Sequence, residues 1–300
     1  MVDFRPPPPP NSPGRASALA TLPSRDGSAR EFSFSTADFD RVRKLIYQHA
    51  GISLSPVKQD MVYSRLARRL RATGMPSFAA YLDGLERNGG DEWERFVNSL
   101  TTNLTSFFRE PHHFPIFADH LRNLGTKRPV RVWCSAASTG EEPYSIAITV
   151  AETFGADVSH ISIVASDLDT SVLATAEKAV YPIERVEKLS PERLRKFFLR
   201  GTGSQEGFVS VRPELKRMIT FQRLNLLDAS YAVKGPLDVI FCRNVMIYFD
   251  KPTQYKILSR FAPIMQPDGL MFAGHSESFL HAADLFKSQG KTVYALANAR

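Results

Sequence analysis

The sequence predicts an α/β domain with a doubly wound, mostly parallel sheet, preceded by a small all-helical domain. From about Val130 onward, short apolar segments typical of strands alternate with segments typical of helices, which favours a parallel sheet with both faces covered. Before that point, apolar residues recur at helical spacing, as in Val62, Leu66 and Leu70. The last apolar segment, LFKSQGKTVYAL, predicts an antiparallel hairpin that turns near Gly290 and closes the sheet.

The chain begins with a segment that is not expected to fold by itself. Residues 1–30 are rich in Pro, Ser, Ala and Gly and offer little apolar surface to offset the entropy of ordering, so we expect a disordered tail. A helical domain and its linker are predicted over residues 31–110. Its first helix is expected to be capped near Ser35 and to continue with the apolar residues Phe39, Val42 and Ile46.

The α/β domain is predicted over residues 111–300. Its strand candidates are VRVWCS, HISIVASD, MITFQRLN, LDVIFCRN and GLMFAGH, and its helix candidates are PYSIAITVAETF and TQYKILSRFAPIM. Residues 196–216 lie between the second and third strand candidates and contain the turn Gly201-Thr202-Gly203. Because this segment is too long for a simple connection, we expect an inserted β subdomain there.

Composition narrows the class of protein. Hydrophobic residues make up 43% of the chain, as in ordinary globular proteins, and no apolar run approaches the roughly 20 residues that span a bilayer. The first residues carry no apolar signal segment, so we expect a cytoplasmic protein. Cys134 and Cys242 each lie in an apolar stretch, which predicts buried thiols, no disulfide and no metal site.

The charge of the chain suits a negatively charged partner. The formal net charge is +7, and this value alone leaves nucleic acid, an acidic membrane face and an acidic protein open. Eight of the basic residues fall in the range Arg41–Arg71. Within it, Arg65, Arg68 and Arg69 share one face of a predicted helix, which is either a solvated surface or a docking surface for an acidic helix.

The segment after the first strand carries the first candidate site residues. Doubly wound sheets bind ligands beyond the carboxyl ends of their strands, and here that position holds residues 135–143. Their small side chains allow a ligand to approach the backbone, whereas Glu141 and Glu142 would repel a pyrophosphate. A positively charged ligand such as S-adenosylmethionine (SAM) fits better, and a plain tight turn is the alternative.

The next three strands also end in polar residues. Asp167 ends the second strand, where a carboxylate can accept hydrogen bonds from both ribose hydroxyls, unless it is a helix N-cap. Asn225 follows the third strand and offers the donor and acceptor that an adenine edge requires, unless it is a turn residue. Arg243 and Asn244 end the fourth strand, and the apolar setting predicts an anionic contact for Arg243.

The linker before the sheet, TTNLTSFFRE, mixes hydroxyls and aromatic rings with Arg109. From its residues alone it could serve simply as an interdomain hinge. His112 and His113 follow it. Because adjacent residues on a helix do not share a face, capping or packing is favoured for this pair over a catalytic or metal-binding role.

Six ordered segments of the chain resemble the chemotaxis receptor methyltransferases of the CheR family: TTNLTSFFREPHHF, ASTGEEPYSIAI, ASDLDT, NLL, FCRNVMIYFDK and PDGLMFAGHSE. The resemblance covers about residues 36–297 and leaves the Pro-rich tail outside. It implies a class I SAM-dependent methyltransferase domain with an inserted β subdomain, joined to an all-helical N-terminal domain. It also implies a protein-glutamate O-methyltransferase, which methylates glutamates on the cytoplasmic helices of chemoreceptors and releases S-adenosylhomocysteine.

The resemblance further implies roles for individual residues around the methyl donor. Asn103, Thr105 and Arg109 would contact the donor, with Arg109 against its carboxylate. Glu141 would hold the methionine portion, and Asp167 would hold the ribose.

A second group of residues would surround the rest of the donor and the reacting methyl. Asn225 and Leu226 would contact the adenine side. Arg243 and Asn244 would line the donor site. Tyr248 would lie near the transferred methyl group and, with help from Arg243 or the linker arginine, would orient the incoming carboxylate.

The resemblance also names a partner. In family members whose insert carries a Gly-x-Gly turn, the subdomain docks a short peptide at the C-terminus of the receptor, and Gly201 and Gly203 match that turn. A glutamate-rich receptor helix would suit the face formed by Arg65, Arg68 and Arg69, so we favour docking there. We expect a monomer that binds no nucleic acid and does not insert into a membrane.

Two other classes of function remain to be weighed. The same donor fold serves nucleic-acid methyltransferases. The chain, however, carries Arg243-Asn244-Val245-Met246 where amino-methylating DNA enzymes usually carry an Asn/Asp-Pro-Pro-aromatic motif, and it lacks a basic strip interleaved with aromatic residues. A non-enzymatic adaptor that only binds SAM or a receptor is disfavoured by the intact residues at every donor position.

Overall fold

The structure, a computed structural model, describes residues 30–155 and 157–298 of the 300-residue chain. The predicted tail over residues 1–30 lies outside the described residues, except for Arg30. The chain divides into two compact units, with the border between Thr101 and Thr102. Among the described residues, no helix combines the length and the apolar composition needed to cross a bilayer.

The first unit is all-helical, as the sequence predicts. Its helices are α1 (Thr36–Ala50), α2 (Gln59–Thr73), α3 (Phe78–Asn88) and α4 (Asp91–Leu100). Ser35 caps α1, because its hydroxyl accepts a hydrogen bond from the Asp38 N–H at 3.1 Å. The Asp38 carboxylate accepts in return from the Ser35 N–H at 2.9 Å, which completes a capping box.

The core of the first unit follows the predicted apolar stripes. Val62, Leu66 and Leu70 of α2 are fully buried. Trp93 of α4 is only half-buried, and its ring stacks on His49 with a centroid separation of 4.8 Å. Trp93 is the single tryptophan in the sequence of the first unit.

The second unit contains ten strands within its described residues, 102–155 and 157–298: β1 (Val130–Cys134), β2 (Ile161–Asp167), β3 (Val180–Pro182), β4 (Phe198–Arg200), β5 (Phe208–Val211), β6 (Ile219–Arg223), β7 (Leu237–Cys242), β8 (Met265–Ala273), β9 (Phe286–Gly290) and β10 (Val293–Leu296). Its helices in the same residues are α5 (His113–Leu124), α6 (Glu141–Phe154), α7 (Thr170–Lys178), α8 (Pro191–Phe197), α9 (Pro213–Lys216) and α10 (Lys251–Phe261). The elements alternate as the sequence predicts.

Seven strands form the main sheet in the order β6-β2-β1-β7-β8-β10-β9. The neighbours from β6 to β8 pair in parallel, whereas β10 is antiparallel to both β8 and β9. The predicted parallel sheet with a terminal antiparallel hairpin is thereby confirmed. The strand order reverses beside β1, between β2 and β7, and in folds of this kind the crevice at that point binds ligands.

A second, smaller sheet has the order β3-β5-β4, and both of its pairs are antiparallel. It forms the predicted β subdomain. The strand β3 lies earlier in the chain than the predicted segment 196–216. Its three residues, Val180-Tyr181-Pro182, are too few to produce a periodic pattern in the sequence.

The main sheet is buried on both faces. Every residue of β7 is buried, which explains its unbroken apolar run. On one face Phe241 stacks on Phe272 with a centroid separation of 4.6 Å. On the other, the fully buried Trp133 donates its Nε1 hydrogen to Ser166 Oγ at 2.9 Å. The two cysteines, Cys134 and Cys242, are buried and free, as predicted.

Candidate functional site

The loop after β1 lies against the end of β2 at the carboxyl edge of the main sheet. The Ser138 N–H donates to Asp167 Oδ2 at 2.8 Å. The Thr139 hydroxyl donates to Glu141 Oε2 at 2.6 Å. The carboxylates of Asp167 and Glu141 therefore both contact one short loop.

Gly140 allows this loop to turn so tightly. Its φ is 100°, and a Cβ at this position would lie 2.6 Å from the Tyr181 hydroxyl and 2.9 Å from the Ala176 Cβ. The Tyr181 hydroxyl instead donates to Thr139 O at 2.9 Å. The loop is a tight turn, and it places Glu141 at the first position of α6.

Glu141 is fully buried and has one unsatisfied oxygen. Arg185 Nη1 lies 3.6 Å from Glu141 Oε1, but this oxygen accepts no hydrogen bond from the residues that the structure describes. Arg185 also donates to Thr105 O at 3.3 Å, which brings Thr105 to the same place. A buried carboxylate oxygen without a donor is rare in folded proteins, and a bound ammonium group would satisfy it.

Asp167 is held by backbone groups on both sides. Besides the bond from Ser138, its Oδ1 accepts from the Asp169 N–H at 3.0 Å. Burial raises the pKa of Asp167 to about 6, against the effect of these hydrogen bonds. The N-cap of α7 is Asp169, whose Oδ1 accepts from the Ser171 N–H at 2.9 Å, so the alternative role of Asp167 as the cap is excluded.

The linker also reaches the carboxyl edge of the main sheet. Asn103 Nδ2 donates to Asp169 Oδ2 at 3.0 Å, and Asn103 O accepts from the Ser138 hydroxyl at 3.3 Å. Arg109 is half-buried, and its Nη1 donates to Leu104 O at 2.8 Å. Asn103 and Arg109, two of the three predicted donor contacts in the linker, therefore belong to a segment that is anchored at the tip of β2.

The segment after β6 continues beside β2. The Leu224 N–H donates to Asp167 O at 3.0 Å. Asn225 Oδ1 accepts from the Leu227 N–H at 3.0 Å, which is the pattern of an Asx turn. Leu226 is buried. Asn225 and Leu226 are thus brought to the same edge as Asp167.

Arg243, at the end of β7, has a fully buried side chain surrounded by oxygen atoms. Its Nη1 lies 2.5 Å from Glu142 Oε2, its Nη2 lies 3.3 Å from Glu110 Oε2, and Nη2 also donates to Arg109 O at 2.5 Å. Burial alone would lower the pKa of Arg243, but the two carboxylates outweigh it and raise the pKa. The anionic contact predicted for Arg243 is confirmed, and Glu142 and Glu110 of the same chain provide it.

The turn after β7 carries Asn244 and Tyr248, the last two residues predicted to belong to the donor site. Asn244 adopts a φ of 57°, its N–H donates to Glu277 Oε2 at 3.0 Å, and its Nδ2 donates to Glu110 Oε1 at 3.3 Å. Tyr248 closes a short 3-10 turn, and its hydroxyl donates to Thr102 O at 3.3 Å. The turn is therefore tied to the linker as well as to the segment after β8.

Comparison with known proteins assigns a family to this arrangement. The family model described as the SAM binding domain of CheR methyltransferase matches residues 103–295. The model described as the all-alpha domain of CheR methyltransferase matches residues 37–101. The chain belongs to the CheR methyltransferase family. It is a SAM-dependent methyltransferase of chemotaxis, and its fold is the class I SAM-dependent methyltransferase fold that the sequence predicts.

Individual relatives of the CheR family agree over nearly the whole chain. The chemotaxis protein methyltransferase of Escherichia coli (strain K12) is 52% identical over 285 residues, which cover 95% of this chain and 97% of the relative. Chemotaxis protein methyltransferase 2 of Pseudomonas aeruginosa is 51% identical and covers 92% and 99%. A solved glycopeptide N-methyltransferase, MtfA complexed with sinefungin, is 15% identical with a TM-score of 0.35 and covers 66% of this chain and 62% of that chain, a likeness that adds nothing to the assignment.

Sequence reasoning named Glu142 in the loop after β1 but missed the contacts by which three acidic residues organise this CheR-family site. Glu110 and Glu142 hold Arg243, and Glu277 holds the turn that follows it. Glu110 and Glu142 lie 133 and 101 residues from Arg243, and Glu277 lies 33 residues from Asn244, so no local pattern reveals these contacts. Their only signal is their position inside the segments FFRE, GEEP and GHSE, where CheR-family motifs lie.

Three side chains at the end of the linker have the composition of a metal site. Potential ligand atoms of Glu110, His112 and His113 all lie within 4.8 Å of one another. His113 is fully buried, its Nε2 lies 2.9 Å from Lys291 O, and burial together with the charge of Arg243 lowers its pKa to about 4. Because Glu110 already lies beside the Arg243 guanidinium, we assign no metal ion to this cluster.

The arginines proposed for docking in the helical unit differ in their surroundings. Arg69 is paired with the buried Glu92 through two hydrogen bonds of 2.9 and 2.7 Å. Arg65 donates to Leu100 O at 3.1 Å and to Thr101 O at 2.6 Å, at the end of α4. Arg68 is exposed. Only the last of the three is thus fully available at the surface of this unit.

The two glycines proposed for peptide docking shape the turn between β4 and β5. The Gly201 N–H donates to Phe208 O at 2.9 Å, and a Cβ at Gly201 would lie 2.8 Å from the carbonyl carbon of Gln205. Gly203 has a φ of 59°. Gly201 therefore has no room for a side chain, and Gly203 adopts a left-handed conformation that favours glycine. The role of both residues toward a peptide stays a prediction.

Proposed function

We propose that the protein transfers the methyl group of SAM to glutamate carboxylates on the cytoplasmic helices of chemotaxis receptors, giving glutamate methyl esters. The observation that carries this proposal is the pair of carboxylates, Glu141 and Asp167, on one loop at the carboxyl edge of the sheet. The donor's positive charge fits Glu141 Oε1, which is buried without a hydrogen-bond donor among the described residues.

Each predicted residue then has a definite task in holding the donor. Asp167 would accept hydrogen bonds from the ribose hydroxyls, and Glu141 would bind the methionine ammonium. Asn225 and Leu226 would contact the adenine side.

The linker and the end of β7 would complete the donor site. Asn103 and Thr105 would contact the donor, and Arg109 would pair with its carboxylate. Arg243 and Asn244 would line the site, with Arg243 acting through the backbone and carboxylates that it holds.

Bound SAM supplies an electrophilic methyl group on a positively charged sulfur. The receptor glutamate has a reference pKa near 4.3, so it is already ionised at neutral pH and needs no general base or metal. What the residues must provide is an in-line approach of the carboxylate oxygen, which can contribute about 7–11 kcal/mol in favourable cases. Tyr248, with Arg109 or Arg243, would orient that carboxylate, because a neutral phenol stabilises the ground-state anion less than an ion pair does.

The substrate would be recognised at two places. The basic face of Arg65, Arg68 and Arg69 would meet a glutamate-rich receptor helix mainly through Arg68, because the other two arginines are already bonded within the helical unit. The turn of Gly201 and Gly203 would bind a peptide at the receptor's C-terminus. We propose that the protein acts as a monomer in the cytoplasm, where these receptor helices lie, and that it neither binds nucleic acid nor inserts into the membrane.

Transfer from tritiated SAM tests the proposal. Receptor-containing membranes should acquire label that base releases as methanol, because methyl esters of carboxylates are base-labile, whereas DNA should acquire none. Tyr248→Phe should reduce turnover while leaving the binding of S-adenosylhomocysteine intact. Label on DNA, or base-stable label on the receptor, would refute the glutamate specificity.

A further inference from the structure

The carboxylate of Glu277 is an unusual feature of the α/β unit. The residue is 4% exposed, and four backbone N–H groups donate to its carboxylate. Oε2 accepts from Gly274 at 2.5 Å and from Asn244 at 3.0 Å, and Oε1 accepts from Met246 at 2.8 Å and from Ile247 at 3.3 Å. Each oxygen therefore accepts two hydrogen bonds.

Three of the four donors belong to the turn after β7. Asn244 has a left-handed φ of 57°, and Met246–Tyr248 form a 3-10 turn without a side-chain cap of its own. The N–H groups at the start of such a turn have no partner within it. Glu277 supplies that partner from another part of the chain, and so acts as the N-cap of a turn that begins about thirty residues earlier.

The segment that carries Glu277 is pressed against this turn. Gly274 has no room for a side chain, since a Cβ there would lie 2.9 Å from both the Asn244 N and Glu277 Oε2. Burial raises the pKa of Glu277, while the four backbone donors favour its ionised form. Burying a carboxylate costs free energy unless its hydrogen bonds are complete. The turn is therefore held in the geometry that keeps all four hydrogen bonds.

We propose that Glu277 is a positioning residue for methyl transfer: it fixes the turn that presents Asn244 and Tyr248 at the donor site without touching either substrate. This inference rests on the proposed function, in which Tyr248 lies close to the transferred methyl group. Loss of the hydrogen bonds to Glu277 lets the turn move, and a displacement of about 1 Å at a reacting group can cost roughly 100-fold in rate.

The decisive variant is Glu277→Gln. An amide keeps one acceptor oxygen and turns an NH₂ group toward two backbone N–H groups, so two of the four hydrogen bonds are lost. We expect the kcat for receptor methylation to fall roughly 10- to 100-fold, with kcat/KM falling in parallel and the Kd for S-adenosylhomocysteine changing less than about threefold. The pair of backbone amides that faces the NH₂ group, Met246 and Ile247 or Asn244 and Gly274, should exchange its hydrogens faster. Glu277→Asp keeps the charge and should recover part of the lost kcat.

Asp238→Asn is the matched control. Asp238 is also a buried carboxylate of the α/β unit, 1% exposed, but it lies near the opposite end of β7, where it accepts from the Arg131 N–H at 2.7 Å and from Arg128 Nη1 at 2.5 Å. This variant should lose stability while its folded molecules keep the wild-type kcat and the wild-type exchange at all four backbone amides that donate to Glu277.

The two variants are compared at equal folded fraction, which circular dichroism measures. A lower kcat in Glu277→Gln than in Asp238→Asn, together with faster exchange at either pair of backbone amides that donates to Glu277, supports the positioning role. Unchanged exchange, or equal kcat in the two variants, overturns it. If the wild-type protein itself fails to label the receptor, the proposed function fails, and the exchange result alone then decides whether Glu277 clamps the turn.

Discussion

The two units each contain an arginine that is paired with a buried glutamate, and the two pairs have different consequences. In the helical unit, Arg69 of α2 holds Glu92 of α4, and its side chain is still 19% exposed. In the α/β unit, Arg243 is wholly buried and holds Glu142, Glu110 and the backbone of the linker. The first pair joins two helices, whereas the second joins three segments at the candidate site. Burial and the number of segments joined thus distinguish an arginine that packs a domain from one that assembles a site.

Removal of Arg243 should have the largest effect on stability. Arg243→Met leaves Glu142 and Glu110 buried without their cation, and breaking a buried pair in this way typically costs about 3–5 kcal/mol. Urea unfolding followed by circular dichroism measures the loss. Arg69→Met should cost less, about 1–3 kcal/mol, since its site is partly open to water. Equal losses in the two variants would mean that the comparison between the pairs is wrong.

The next largest effect is expected on donor binding at the tip of β2. Asp167→Asn replaces a charged acceptor, and hydrogen bonds to charged groups contribute about 1.5–3 kcal/mol each, so the affinity for SAM should fall roughly 10- to 100-fold. Isothermal titration measures it. The control is Asp238→Asn, which alters a buried carboxylate near the opposite end of β7. An affinity for SAM that is the same in Asp167→Asn and wild type would remove Asp167 from the donor site.

Arg68 and Arg69 are neighbours in sequence, and substitutions at these two positions should distinguish a role in receptor docking from a role in packing. Charge reversal in Arg68→Glu should lower kcat/KM for receptor methylation by about tenfold at low salt, with a smaller effect at high salt, and should leave the Tm unchanged. Arg69→Met should instead lower the Tm of the helical unit, because it leaves Glu92 without its partner. Methylation rates of Arg68→Glu equal to wild type at low salt would refute docking on this face.

The pH dependence of donor binding should be the smallest effect. Burial raises the pKa of Asp167 to about 6, above its value in the unfolded chain. The folded protein without ligand therefore gains stability from this group at low pH and loses it as the pH rises through about 6. The affinity for S-adenosylhomocysteine should change the opposite way, falling up to about tenfold from pH 7 to pH 5, since the ionised carboxylate accepts the ribose hydroxyls. Titrations of Asp167→Asn should lack this slope.

Local patterns predict much of this molecule. The alternation of short apolar runs and helical segments after Val130 predicts the parallel sheet, and Ser35 predicts the start of α1. The three residues of β3 are too short to produce such a pattern. The polar ends of β1, β2 and β7 could also be predicted, because a parallel sheet brings these ends to one edge.

Pairings between distant charges could not be predicted in the same way. Arg65 and Arg69 form one basic face by their spacing on α2, yet both find partners in the segment from α4 to Thr101. Glu277 gives no sign in the sequence that it binds the turn after β7. Such contacts depend on how elements pack in three dimensions, and helical or strand periodicity carries no information about that.

The chain has two tryptophans, and each compact unit contains one of them. Trp133 is fully buried with its indole N–H bonded to Ser166, so its fluorescence should be blue-shifted in the folded protein and move to longer wavelength when the sheet opens. Trp93 stacks on His49, and its emission should report on the helices. Replacing either indole with phenylalanine leaves a single tryptophan, which long-wavelength excitation selects over the nine tyrosines, so the melting of each unit can be recorded separately without an attached dye.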